Sequence, residues 1–264
     1  MNRRMTWGTP ESRSVQERAG LRFGEKGTHT SRTMMSTELT ELLQVAPRDS
    51  TREEYAAAII EENVLGKATA SNRRSTNQRL GELYGLDPSI PVFRVLLRLW
   101  DVDQEGRPLL AILTALGRDP LLRTTASTIL NLAPGAELVR TNLLEAIGSE
   151  TEGRLKESVR DKVARNSGSS WTQSGHLKGR VRKIRQPVDP TPAAGAFVLW
   201  LGTVQGLAGE SLLDSAWARV LDSSPSRLLD LTLRAKQLGL VHARVGGGVV
   251  EIDARGLDPA FNGA

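Results

Sequence analysis

The chain has 264 residues, of which 39% are hydrophobic, and a formal net charge of +5. It contains no cysteine, which excludes a disulfide framework, a thiolate metal site and a cysteine nucleophile and fits a cytoplasmic setting. The longest apolar stretch, residues 193–208, is interrupted by glycines and is short for a bilayer span, so we expect a buried helix and no membrane association. No apolar block follows the first arginines, as a secretory signal would require.

Residues 1–35 are rich in Arg, Gly, Ser and Thr and show no periodic apolar pattern, which predicts a disordered extension. Helical patterning begins just after Met34 and Met35, so we expect the first 33 residues to be an extension from an upstream start codon.

Residues 36–134 are predicted to form an N-terminal helical domain, because short helical patterns are separated there by Gly, Pro and Ser. Within it, residues 51–84 have the form helix, turn, helix. The second helix presents side chains that can reach base edges or phosphates. The candidates for DNA binding are Arg73, Arg74, Asn77, Gln78 and Arg79.

Residues 135–186 are predicted to form a basic helical unit, since residues 154–185 hold ten Lys/Arg against two acids, a balance of +8. The stretch SSWTQSGHLKGRVRKIR, residues 169–185, places Leu177, Val181 and Ile184 at i, i+4 and i+7, which predicts a helix with one apolar side. Its other residues are the main candidates for contacts with DNA: Thr172, Gln173, Ser174, His176, Lys178, Arg180, Arg182, Lys183 and Arg185. For Trp171, burial in a core is favoured over stacking on a base.

A proline-rich stretch, QPVDPTP, follows and predicts a domain boundary. Residues 190–254 are then expected to form three helices and a β-hairpin, the order of a winged helix, with glycines in the hairpin turn. Arg244 would lie on the wing and is the last DNA-binding candidate. Residues 255–264 are expected to be a flexible tail.

Catalytic and metal-binding motifs are missing from the sequence. Its three histidines are far apart, and no cofactor or metal site is expected; His29 and His242 are predicted to lie at the surface. The Gly-Lys in GKATASNRRS lacks the other features of a phosphate-binding loop, and DVDQEG lacks the closing glutamate of a calcium loop. A protein that is not an enzyme is therefore expected.

A basic block on an otherwise acidic chain is typical of a protein that binds a polyanion, here double-stranded DNA. Two alternatives stay open: an interaction scaffold whose winged tail docks a partner enzyme, and a transcriptional regulator. RNA binding is less favoured, because aromatic residues make up only 4% of the chain and few stacking platforms are available.

Two stretches, IIEENVLGKATASNRRSTNQRLGELYGLD and SSWTQSGHLKGRVRKIR with its wing-terminated tail, are similar to the BrxA-like proteins of bacterial BREX phage-defence clusters. The resemblance covers about residues 36–253. It implies a mostly helical protein with helix-turn-helix or winged-helix lobes that binds double-stranded DNA. It also implies defence-system partners, a methyltransferase and an ATPase. The long N-terminal extension and the high Ala and Leu content depart from that family.

Overall fold

The computed structural model describes residues 5–247 and 249–261 and is mainly helical. Its strands form two antiparallel hairpins, β1 (Leu177–Lys178) with β2 (Ile184–Arg185) and β3 (His242–Gly246) with β4 (Val249–Asp253). The mainly α fold with a winged-helix-like C-terminal part confirms the predicted fold class. The α-helices are α1 (Arg13–Arg18), α2 (Ser36–Val45), α3 (Arg52–Ile60), α4 (Ala70–Tyr84), α5 (Pro91–Val102), α6 (Arg107–Arg118), α7 (Pro120–Arg123), α8 (Ala126–Leu130), α9 (Arg140–Glu150), α10 (Glu157–Gln173), α11 (Pro192–Val204), α12 (Ala216–Val220) and α13 (Pro225–Gln237).

The N-terminal segment is folded, so the prediction of disorder is wrong for residues 5–35; residues 1–4 lie outside the described part. Leu21 and Met34 are buried in the main core. The backbone N–H of Arg22 donates to the carbonyl of Gly117 at 2.9 Å. The buried side chains of this segment follow no helical or strand period, because tertiary contacts bury them and no regular amphipathic element does. Sequence periodicity therefore gave no sign of their burial.

One continuous core runs through the molecule and includes the fully buried ring of Trp171. Helix α11 is buried along almost its whole length, which confirms the buried helix predicted for this apolar stretch. Among the described residues, no single helix is both long and apolar enough to cross a membrane, although the bent pair Pro192–Val204 and Gly209–Val220 passes by length and composition.

The predicted flexible tail is also ordered over residues 255–261. Asp258 is buried, and its carboxylate accepts a hydrogen bond from Nη2 of Arg94 at 2.7 Å. The last three residues, 262–264, lie outside the described part.

Residues 126–185 form a winged-helix arrangement that we name the first winged unit. Helix α8 is followed by an extended segment, α9, α10 and the β1–β2 hairpin. The extended segment pairs with the edge of the hairpin, because Leu138 N–H donates to the Lys183 carbonyl at 2.8 Å and Glu137 forms a bridge with Ile184. The sequence did not reveal this wing.

The helix predicted over residues 169–185 is wrong. Helix α10 begins at Glu157, runs past residue 169 and ends at Gln173, and the rest of the stretch forms the hairpin. Gly175 and Gly179 have φ of +87° and +110°, a region that favours glycine, so each interrupts helical geometry. A Cβ at Gly179 would lie 2.0 Å from the carbonyl oxygen of Arg182, so the tight turn requires glycine there.

Residues 192–253 form the second winged unit, with the helices and hairpin in the predicted order. Ser224 caps α13 by accepting from the Arg227 N–H, and Pro225 occupies the first turn. In the hairpin, Val245 pairs with Val250 across the two strands. Gly247 takes the left-handed conformation expected of the turn, while Gly248 lies outside the described residues.

A buried polar junction joins the two winged units. Nε2 of His176 donates to the Val220 carbonyl at 2.7 Å. The guanidinium of Arg185 pairs with the carboxylate of Asp222, which also accepts from the Val188 N–H at 3.0 Å. The hairpin of the first unit is therefore fixed against the end of α12 and the turn that follows it.

Candidate nucleic-acid interface

Helix α10 occupies the recognition-helix position of the first winged unit. Its inner side packs into the core, with Val163 and Trp171 buried. The opposite side carries a stripe with the spacing i, i+4, i+7 and i+11, which places its members on one face. We name this stripe the α10 face, and its members are Ser158, Lys162, Arg165 and Ser169.

Both cations of the α10 face are exposed, and neither Lys162 nor Arg165 has an acidic partner among the described residues. The nearest acids along the helix are Glu157 and Asp161, and Asp161 is paired with Arg140. Hydroxyl and guanidinium groups on one helical face are suited to contacts with both phosphates and base edges.

Next to this face lies the first wing, the loop of residues 179–183. Val181 is 92% exposed at its tip. Arg180 and Arg182 flank it and are also exposed. Arg182 donates from Nε and Nη2 to Oε2 of Glu137, at 2.9 and 2.6 Å.

A cleft of about 380 Å³ separates the α10 face from the first wing. Its charged lining residues are all cationic: Arg140, Arg165, Arg180 and Lys183. Nζ of Lys183 donates to Oγ1 of Thr172 at 3.0 Å, which fixes the wing against the helix. Desolvation lowers the pKa of Lys183.

Three predicted DNA contacts are excluded by burial, since a side chain inside the protein cannot reach a duplex. Ser174, His176 and Arg185 are at most 3% exposed. His176 stacks edge-on against Trp171, and its Nδ1 bonds the Ser174 hydroxyl at 2.8 Å. Burial lowers the pKa of His176 to about 4, so the ring is neutral at physiological pH.

Two further candidates on α10 are tied to neighbouring protein groups. Thr172 is half-buried and accepts the Lys183 bond. Gln173 is exposed, but its amide holds the hydroxyls of Ser36 and Thr33 at 3.0 and 3.1 Å. Lys178 stays exposed on β1 and has no acidic partner among the described residues.

The candidates on α4 form a helix-turn-helix with α3, but most are engaged or partly covered. Nη1 of Arg73 donates to the Ile60 carbonyl at 2.7 Å, and Arg79 pairs with Glu82 at 2.8 Å. Gln78 also bonds Glu82, and Asn77 is half-buried. Arg74 is exposed. Residues 51–84 contain five Lys/Arg and five Asp/Glu, so this unit offers no excess of positive charge.

Arg244 lies on the second wing as predicted and is exposed. In the β3–β4 register it stands directly opposite Glu251. Directly opposed residues of an antiparallel pair project from the same face, so the carboxylate offsets the guanidinium charge.

Sequence reasoning missed the α10 face. Lys162 and Arg165 were counted in the basic block but were not chosen as contacts, because the contacting helix was predicted over residues 169–185. The available signal was the spacing from Val163 to Trp171, which is i to i+8 and continues the apolar side of one helix.

His29 is buried, contrary to the prediction of a surface position. Its Nδ1 donates to Oδ2 of Asp119 at 2.7 Å, and its Nε2 lies 2.8 Å from Oγ of Ser170. The three groups have the order of a catalytic triad. None is more than 1% exposed, and Ser170 Oγ also accepts from the Met34 N–H at 2.8 Å. In the described part of the chain this network fastens the N-terminal segment to α10.

In the described ranges, no cluster of three or more His, Asp or Glu side chains could hold a metal ion. A scan against known protein-family models gives no match, and a search of curated proteins gives none either.

Proposed function

We propose that this protein binds double-stranded DNA through the first winged unit. The observation that carries the proposal is the cationic surface made by the α10 face and the first wing, which lie on the two sides of one cleft. Residues 126–185 hold eleven Lys/Arg against six Asp/Glu, and Lys162, Arg165 and Arg180 on this surface have no ion-pair partner among the described residues. Exposed cations without carboxylate partners attract a polyanion at long range and gain from counterion release on contact.

The geometry is suited to a duplex. A helix of this kind enters the major groove, where Arg165, Ser169 and Lys162 can meet base edges and adjacent phosphates. The wing then lies along the neighbouring backbone, with Arg180 and Lys178 at phosphates. Because these contacts are ionic, affinity should fall steeply with salt.

We further propose that this binding serves a cytoplasmic phage-defence system as an accessory function. Support for this comes only from the resemblance to BrxA-like proteins described above. The same DNA-binding surface would suit a transcriptional regulator.

Charge reversal tests the DNA-binding surface. The variant Lys162→Glu/Arg165→Glu/Arg180→Glu should weaken duplex binding by about 100-fold or more at physiological salt, since three phosphate contacts become repulsive. The matched control, Arg234→Glu/Lys236→Glu/Arg244→Glu in the second winged unit, makes the same charge change and should bind within a few fold of the parent.

Gel retardation with a duplex and circular dichroism of both variants are the measurements, with structured RNA as competitor. Unchanged retardation by the first variant would show that this surface does not bind DNA. Stronger competition by RNA than by unlabelled duplex would point to RNA instead.

For the second winged unit, protein contact is a second candidate function. Val245 and Val249 on its hairpin are 52% and 66% exposed, and Leu238 at the end of α13 is 64% exposed. Apolar side chains on a charge-balanced wing favour a protein partner over a polyanion. The reversal control separates the two: a DNA-binding second unit would lose affinity in that control, and a protein-binding unit would not.

A further inference from the structure

A second cationic site lies in a cavity away from α10. The cavity has a volume of about 360 Å³ and is bounded by the N-terminal segment, α7 and the end of α9. Trp7, Phe23 and Leu121 supply apolar walls. This volume falls within the range of sites that bind small molecules.

Two guanidiniums face the same ring in this cavity. The Cζ atoms of Arg13 and Arg123 lie 4.6 and 4.8 Å from the ring centroid of Phe23. Arg13 is exposed, whereas Arg123 is 9% exposed. Neither has an ion-pair partner within 4 Å among the described residues.

The guanidinium of Arg123 is held rigidly, but not all of its N–H donors have an acceptor among the described residues. Its Nε donates to the Leu116 carbonyl at 2.8 Å, and its Nη2 donates to the carbonyls of Arg22 and Gly117 at 2.9 and 2.8 Å. Nη1 has no hydrogen-bond acceptor in the described part of the chain. Burial lowers the pKa of this guanidinium to about 10; the Asp119 carboxylate opposes the lowering and Arg13 adds to it, and Arg123 remains charged at neutral pH.

The other charged residues that line the cavity do not reverse its sign. Arg154 pairs with Glu25 at 3.2 Å, and Glu150 is the acid among the described lining residues. With Arg154 offset by Glu25, the charges of Arg13 and Arg123 against that of Glu150 leave the lining positive. Two like charges on one aromatic ring are unfavourable until an anion joins them.

We infer that this cavity binds a small phosphate monoester with a planar or apolar body, of the size of a nucleoside monophosphate. Two guanidiniums can bind a phosphate by donating several charge-assisted hydrogen bonds to its oxygens. The aromatic and aliphatic walls would cover the body of the ligand. The cavity shares no lining residue with the α10 face.

Isothermal titration calorimetry of the full chain with AMP, phenyl phosphate and inorganic phosphate tests the inference. The two organic phosphates should bind saturably and at least tenfold more tightly than inorganic phosphate. Arg13→Gln should weaken them by about tenfold, whereas Arg74→Gln, a matched change on α4, should not. Arg123→Lys keeps the charge but not the planar fork, so it should also weaken binding while the circular dichroism stays unchanged.

Duplex retardation by Arg13→Gln should equal that of the parent protein. Three results would overturn the inference: no saturable heat with either organic phosphate, equal affinity for inorganic phosphate, or unchanged affinity in Arg13→Gln.

Discussion

The two winged units have the same order of elements, but their surfaces differ in net charge and in exposed apolar residues. Residues 126–185 carry an excess of five positive charges, while residues 192–253 carry five Lys/Arg against six Asp/Glu. The tip of the first wing is formed by Arg180, Val181 and Arg182, whereas exposed valines, Val245 and Val249, lie beside the turn of the second wing. A shared fold therefore leaves the ligand undetermined, and the pairing state of each exposed charge decides which unit can take a polyanion.

Within the first hairpin itself, two arginines three residues apart have different roles. Arg185 is 3% exposed and joins the two units through Asp222, whereas Arg182 is 77% exposed beside Glu137. The variants Arg185→Met and Arg182→Met compare the contribution of a buried ion pair to stability with that of an exposed one. Arg185→Met should lower the free energy of unfolding by about 3–5 kcal/mol, because it leaves Asp222 without its buried partner. Arg182→Met should unfold close to the parent protein, since exposed pairs contribute little.

Urea denaturation followed by circular dichroism measures both variants. The double variant Arg185→Met/Asp222→Asn removes both charges and should be more stable than Arg185→Met alone. Equal stability of Arg185→Met and Arg182→Met would contradict the proposed junction.

The sequence predicted the parts of the fold that depend on local signals. In the second winged unit, Ser224 and Pro225 start α13, and glycines mark the hairpin turn; both signals are local and both predictions agree with the structure. The buried α11 was predictable from its continuous apolar composition for the same reason.

The first wing could not be predicted in this way, because its strands are only two residues long and the segment that pairs with β2 comes from before α9. The apolar spacing of Leu177, Val181 and Ile184 fits a helix equally well, although Val181 is at the tip of the loop. Long-range pairing of Leu138 with Lys183, and the positive φ of Gly179, decide between the two.

For the candidate site, the sequence located the basic region but not its accessible members. Charge can be counted from the sequence, and Arg180 and Lys178 are indeed exposed. Burial of His176 and Arg185 depends on Val220 and Asp222, about forty residues later, which no local pattern reports.

His176, which is buried at the junction of the two winged units, gives a pH test of that junction. Because the folded-state pKa of His176 is about 4, below its ordinary 6.5, the unfolded chain binds the proton first as the pH falls. The contribution of neutral His176 to the free energy of unfolding is therefore fully present above about pH 6.5 and is lost as the pH falls towards 4. Between pH 7 and pH 5 the contribution of His176 to the free energy of unfolding should fall by about 2 kcal/mol.

Urea denaturation at a series of pH values measures this slope. His176→Gln should flatten it, whatever its effect on stability at pH 7. A slope that persists in His176→Gln would assign the pH dependence to other groups.

The smallest expected effect concerns the two glutamates that face wing arginines. Glu137 accepts two hydrogen bonds from Arg182, which hold its pKa below the ordinary value, so the carboxylate is charged at neutral pH and competes with a phosphate for that guanidinium. Glu137→Gln should tighten duplex binding by about two- to threefold and steepen its salt dependence by at most about one counterion. Glu251→Gln, opposite Arg244, makes the same change on the second wing and should alter neither quantity. Fluorescence anisotropy across a salt series measures both. If Glu251→Gln tightens binding as much as Glu137→Gln does, net charge alone sets affinity, and the first wing holds no special position on the duplex.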